Sequence, residues 1–182
     1  VAAGEISTEL FYNAGNSPGS PFSRSPNGFH EIGGAAGQSL ANQDNSVAML
    51  ANDLTFRRLS GSWQQISNPG IEASIQRMVV RSDCFALPYR QEGHHFIAWT
   101  FPNEGRTVVV DFNTGEWHDR ESRVDSVSMG RWRVNCITQA WGKQIVGDSV
   151  AGKIWILDPD IHEEWSEPQV MTWTYPAIYS QG

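Results

Sequence analysis

The chain has 182 residues, a formal net charge of −7, 18% charged and 40% hydrophobic residues, with 17 Gly, 9 Pro and 8 Trp. That length supports one domain with a substantial core, and the wealth of turn formers and aromatics favours many short strands over long helices or disorder. The acidic balance argues against a general nucleic-acid-binding surface, and no sequence-specific nucleic-acid binding is expected. No apolar run approaches the ~20 residues that span a bilayer, and no leader pattern of basic start and apolar core is present.

In chain order, Glu9-Leu-Phe-Tyr12 predicts a short strand. Asn13 to Pro21 follows as a Gly/Ser/Pro/Asn loop that holds no regular ladder. Phe22 to Arg24 and Gly28 to Ile32 close an incomplete unit. Gly33-Gly-Ala-Ala-Gly37 lacks the Lys-Ser/Thr and the helical pattern of a phosphate loop, so a backbone crossing between units is expected there. Ser46 to Ala51 and Leu54 to Leu59 read as a hairpin about Asn52-Asp53, with Trp63 early in the next strand. At Asn68-Pro69 the β pattern breaks. Asn68 suits an N-cap, Pro69 a first helical turn, and Ile71, Ile75 and Met78 fall on one face of a short helix packed on the sheet.

From Ser82 the chain returns to strands. His95 to Phe101, a turn at Pro102-Asn-Glu-Gly105, Thr107 to Phe112, a turn at Asn113-Thr-Gly115 and Glu116 to Arg120 form a β-meander. Glu121 to Arg131 reads as a polar link. Trp132 to Trp141, Gln144 to Asp148 and Lys153 to Leu157 are three further strands, with Gly142-Lys143 and Ala151-Gly152 as turns, and Val170 to Tyr175 starts another. The closing hairpin recurs, placing Trp63, Trp117 and Trp165 at equivalent positions 54 and 48 residues apart, and Trp117 is expected to be largely buried. A period of roughly 40 to 50 residues is that of propeller blades. The fold class is therefore all-β: a β-propeller or part of one, with successive four-stranded antiparallel blades and one short helix; an all-β sandwich is the alternative. Boundaries fall at a partial blade of about 5–34, blades of about 35–80, 81–125 and 126–170, and the start of a further unit at 170–182. Three units and a leading part do not close a ring comfortably. A piece of a longer polypeptide, or blades completed by another chain, is the expectation.

Catalytic and metal constellations are weak. His94 and His95 are adjacent on a strand and point to opposite faces, and His30, His118 and His162 add no ligand spacing, so neither metal nor cofactor is expected. Asp111, Glu116, Asp119 and Asp158 lie near turns, where Asp bonds local backbone N–H groups. Two such carboxylates in one cleft would serve a glycosidase. Cys84 and Cys136 read as buried thiols, with a disulfide as the alternative. Arg57-Arg58 and Arg131-Trp132-Arg133 are basic pairs that read as solvated faces. No catalytic residue is assigned, and no small-molecule substrate or membrane is expected as a partner.

GHHFIAWTFPNEGRTVVVDFNTGEWHDR, the GRWR that follows and AWGKQIVGDSVAGKIWILD carry a family resemblance. Together with the upstream LFYNAG and ISNPGIEASI, they resemble the packaged-DNA stabilisation proteins of short-tailed bacteriophages, tail accessory or hub components. Val110 stands where that family more often has an aromatic before Asp111, and its members are longer. The resemblance implies a non-enzymatic virion protein of the phage tail, assembled in the bacterial cytoplasm. It would form a homo-oligomeric ring, join portal or adaptor proteins to distal tail parts and help retain packaged DNA. A carbohydrate-binding or carbohydrate-cleaving propeller is the alternative.

Overall fold

The computed structural model describes residues 1–125, 127–164, 167–172 and 174. Within them the chain is a succession of antiparallel meanders. β1 (Ala2–Ala3), β2 (Thr8–Asn13) and β3 (Phe22–His30) form the first sheet. β4 (Ala41–Gln43), β5 (Ser46–Leu50), β6 (Phe56–Ser60) and β7 (Ser62–Gln65) form the second, in sequence order. After α1 (Pro69–Arg77), the third sheet is β8 (Phe85–Gln91), β9 (His94–Phe101), β10 (Arg106–Asp111) and β11 (Trp117–Asp119). β12 (Glu121–Arg123) pairs with β13 (Met129–Arg131), and β14 (Val134–Ala140), β15 (Lys143–Asp148) and β16 (Ile154–Leu157) make the fourth meander. β17 (Glu163–Glu164) and β18 (Glu167–Pro168) are a further short pair.

Backbone conformation reveals the repeat more clearly than residue identity does. The β4–β5, β8–β9 and β14–β15 turns each place two consecutive residues at positive φ: Asp44-Asn45, Glu92-Gly93 and Trp141-Gly142. Two left-handed residues are what a two-residue hairpin needs to match strand twist. The three turns start 48 and 49 residues apart. The connections that follow end on Leu54, Gly105 and Gly152, also left-handed, at φ 63, 63 and 62. In the second and third sheets one face packs on the preceding unit and the other on the following one.

Three inter-sheet cores result. Met49, Ala51 and Trp63 of the second sheet meet Ile32 and Leu40. Ala48, Leu50 and Phe56 of that sheet meet Ile97, Trp99, Phe101, Val108 and Val110 of the third, with Ile75 and Met78 of the helix region closing the cluster. From the other face of the third sheet, Leu87, Tyr89, Ala98 and Val109 meet Val134, Ile137 and Val146 of the fourth. Side chains that alternate along a strand explain how Ala98 and Val109 join one core while Ile97, Trp99, Val108 and Val110 join another. Each fully buried branched residue contributes ~1.5–3 kcal/mol.

Polar groups fasten the same seams. Gln43 donates its amide to the carbonyls of Tyr89 (2.5 Å) and Phe96 (3.1 Å), across two sheets. Trp99 Nε1 donates to the Ser39 carbonyl at 2.8 Å. Asn68 caps α1 by accepting from the Ile71 N–H at 3.0 Å, and Glu72 in the first turn accepts from the Ser67 hydroxyl. The glycine cluster is a backbone crossing: Gly34 N–H donates to the Gly4 carbonyl, and a Cβ on Gly33 would lie 2.2 Å from the Glu5 backbone.

Several expectations require correction. Glu121 to Arg131 is a hairpin around Asp125, whose carboxylate accepts from the Val127 and Ser128 N–H groups, and so is more than a polar link. Phe22 to His30 is one strand, passing Pro26 with an irregular register against β2. Trp141 lies in a turn and is 90% exposed, so β14 ends at Ala140. Among the described residues the fourth meander has three strands where four are expected. Trp117 is half-buried because β11 is an outer strand, although its indole still reaches the preceding sheet. Cys84 is buried, but Cys136 is exposed and both thiols are free; the register shift between Val134 and Cys136 turns the latter outward. Trp165 and Tyr175 lie outside the described residues, and Val170 to Thr172 form no strand.

Candidate interaction surfaces

The residues with catalytic potential are absorbed by the turns and seams. β9 begins with His94, whose Nδ1 lies 2.6 Å from Asp111 Oδ2. Asp111 also accepts from the Asn113 N–H (2.9 Å) and the Thr114 hydroxyl (3.0 Å). Burial alone would push this carboxyl up, but those hydrogen bonds and His94 hold it below the usual carboxylate range. His95 faces Asp44 instead, 3.6 Å away, as alternation along a strand requires. His118 sits edge-on to Phe96 at 6.3 Å, and burial followed by the nearby Arg120 charge lowers its pKa. Among the described residues, no three His, Cys, Asp or Glu side chains converge where an ion could bind.

The other carboxylates follow the same rule. Asp148 accepts from the N–H groups of Val150 and Ala151 and pairs with Arg133 at 2.9 Å. Asp158 accepts from Asp160 N–H, and Asp53 from Thr55 N–H. Asp119 pairs with Arg106 at 2.9 Å, and Glu116 supplies its carbonyl to Asp111 N–H. The basic pairs are equally committed: Arg57 to Asp53, Arg58 to Asp44 and over the Phe112 ring, Arg133 to Asp148. Arg57 and Arg58, which read as solvated faces in the sequence, are ties to turns: Arg57 to the turn that precedes its own strand and Arg58 to the β4–β5 turn.

Arg120, not singled out in the sequence, forms the most elaborate seam. Its guanidinium lies 4.5 Å over the Trp132 ring and 5.5 Å over the Tyr89 ring, and Nη1 donates to the Tyr89 hydroxyl at 2.7 Å. Burial raises the Tyr89 phenol, a shift that Arg120 partly offsets. Beside this clamp runs a groove of about 120 Å³, lined among others by Trp132, Trp155, Asp148, Asp158 and Glu163. The pairing of Trp with carboxylates is what a sugar site would use, although Asp148 is already tied to Arg133.

Two exposed apolar faces stand at opposite ends of the array. On the first sheet, Phe11, Phe22 and Phe29 are all exposed, and their cross-strand partners Arg24, Asn13 and Glu9 place them on one face. The Glu9–Arg24 ion pair lies on that face. On the fourth, Ile154 and Ile156 are 77% and 50% exposed beside Ile145 and Cys136. Contiguous exposed apolar surface of this kind marks interaction sites.

Residues 1–162 match the model of a phage stabilisation family described as "Bacteriophage P22 Gp10, beta-propeller". No curated protein matches the chain.

Proposed function

Because the chain belongs to this phage stabilisation family, a family of β-propellers, we propose that it is a structural component of a bacteriophage tail. In this reading it joins the portal or its adaptor to more distal tail parts, is present in several copies around the tail axis, and helps keep packaged DNA inside the capsid. The family match over residues 1–162 carries the reading. The spent state of its polar groups agrees with it. Asp111, Asp148, Asp158 and Asp119 each close a turn or pair with a neighbouring base, which suits a protein that works through shape and interface.

The sheets are assigned to a partial blade at about 5–34 and blades at about 35–80, 81–125 and 126–170. Assembly in the host cytoplasm and residence in the tail follow from the connector role. The test is genetic. A phage lacking this protein should package DNA and then lose it, giving heads that empty during purification. Infectious, DNA-filled particles from that deletion would refute the role. The groove beside Trp132 and Trp155 supports a second reading, a carbohydrate-binding or carbohydrate-cleaving propeller. Glycan turnover abolished by one carboxylate substitution would promote it.

A further inference from the structure

Most polar side chains of the protein are committed to turns and seams, and one cleft breaks that rule. It measures about 420 Å³ and lies between the β8–β9 and β14–β15 hairpins, walled by residues 90–93 of the third sheet and by Gln139, Lys143 and Gln144 of the fourth. Alternation along the strands explains its lining. Leu87 and Tyr89 face the fourth sheet, and so does Gln91. Ile137 and Val146 face the third, and so do Gln139 and Gln144, which are direct cross-strand partners. The apolar seam between the two sheets thus ends in three glutamines. Leu157, which packs on the same seam, also lines the cleft.

The side chains of Arg90, Gln91, Glu92, Gln139, Lys143 and Gln144 have no hydrogen-bond or ion-pair partner among the described residues, in contrast to Arg57, Arg58 and Arg133. Arg90 and Lys143 bring two positive charges and Glu92 and Asp158 two negative ones, which cancel. A polyanion or an acidic segment needs an excess of base, and an apolar ligand needs a mostly apolar wall. A hydroxyl group both donates and accepts, as a glutamine amide does, and bases beside carboxylates offer the same two roles. At the tip of the fourth hairpin, one residue from Gly142 in the wall, Trp141 is 90% exposed and sits at φ 51. A bulky residue at positive φ strains its turn, so neither the turn nor a core explains a tryptophan there.

We propose that this cleft binds a neutral saccharide. The glutamine amides and the balanced charges hydrogen-bond its hydroxyls, and the Trp141 ring stacks on the apolar face of one sugar. A long, open cleft over a seam admits part of a chain as readily as a free oligosaccharide. The site goes beyond the connector role and does not rest on it. It shares Ile156, Leu157 and Asp158 with the groove beside Trp132, and its other walls are its own.

The test is a glycan array probed with the labelled protein, carrying neutral hexose and deoxyhexose oligosaccharides beside uronate- and sialate-bearing ones. The best neutral oligosaccharide is then titrated against wild type and variants by calorimetry, at low and high salt. Binding should be selective for neutral glycans and nearly indifferent to salt. Trp141→Asn and Gln144→Ala should each weaken it by roughly 3- to 10-fold, the worth of one stacked ring or one hydrogen bond. Asn suits a left-handed turn, so Trp141→Asn should melt no lower than wild type, which separates a binding role from a structural one. If Gln144→Ala misfolds, Gln139→Ala, at an exposed position, replaces it. A blank array, binding of anionic glycans alone, or affinity unchanged in the variants overturns the proposal. Binding lost in Trp155→Ala and kept in Trp141→Asn places the sugar in the other groove and overturns it as well. None of these outcomes touches the connector role, which the deletion phage decides.

Discussion

Replacing Trp99 by Phe should destabilise the protein by about 3 kcal/mol, and Trp117→Phe by about 1 kcal/mol, although both indoles donate to a backbone carbonyl across a seam. Trp99 is fully buried, and so is Ser39, whose carbonyl accepts its N–H at 2.8 Å. Phe removes the donor and leaves that carbonyl without its indole partner in a dry site, at a cost of about 1–3 kcal/mol. The volume lost with the smaller ring, packed against Phe56 at 4.5 Å and Trp117 at 5.8 Å, adds about 1–2 kcal/mol at the ~24 cal/mol per Å³ typical of core cavities together with the lost transfer energy. Trp117 donates to the Ile66 carbonyl at 3.0 Å but is only half-buried, so water can replace the lost donor. Urea unfolding of the two variants and the parent, read as midpoint shifts at constant m-value, measures both costs. Equal losses, or a Trp99→Phe loss under about 1 kcal/mol, would refute the assignment of this seam as the dry centre of the molecule.

Gly33→Ala should cost about 1–3 kcal/mol by driving a methyl into the Glu5 backbone, while Gly37→Ala, with open space at its Cβ, should be near neutral; paired thermal melts decide. Thiol labelling of the native protein should modify Cys136 alone. Cys84 is buried, its pKa is pushed well above the usual thiol range by burial and then by Asp83, and it should react only on unfolding. Asp111 and Asp148 have depressed folded-state pKa values, so their stabilisation is present above the unfolded value of about 3.9 and is lost as pH falls through the folded one. Denaturation followed from pH 6 to pH 2 should show that loss, and Asp148→Asn should flatten it by removing the charge that Arg133 holds.

Much of the architecture was legible because turns and periodicity agree. Asn52-Asp53 and Asn113-Thr-Gly115 announce hairpins, and Asn68-Pro69 announces α1, through residues whose chemistry is local. Trp141 was misplaced because an aromatic residue gives no hint that it will adopt φ 51; the neighbouring Gly142 carries the signal, and it shifts the turn by one. The β12–β13 hairpin was hidden by its polarity, since only Ser122 of the five described side chains from Glu121 to Asp125 is buried. Cys136 reads as an inward residue until the register shift after Val134 is known. The surfaces were harder still. Arg120 becomes a clamp only when Tyr89 and Trp132, distant in sequence, are brought to either side of it. The exposed face of the fourth sheet looks from its residues alone like any buried strand.

The self-closing turns carry an evolutionary consequence. Asp53, Asp111, Asp125, Asp148 and Asp158 each fold their own loop by accepting backbone N–H groups within three residues. A loop closed in this way holds its backbone shape through its own carboxylate, so its outward residues can change while the strands beneath keep their register. Change at the rims is thereby uncoupled from the pairing of the strands, and surface contacts can be remodelled one loop at a time.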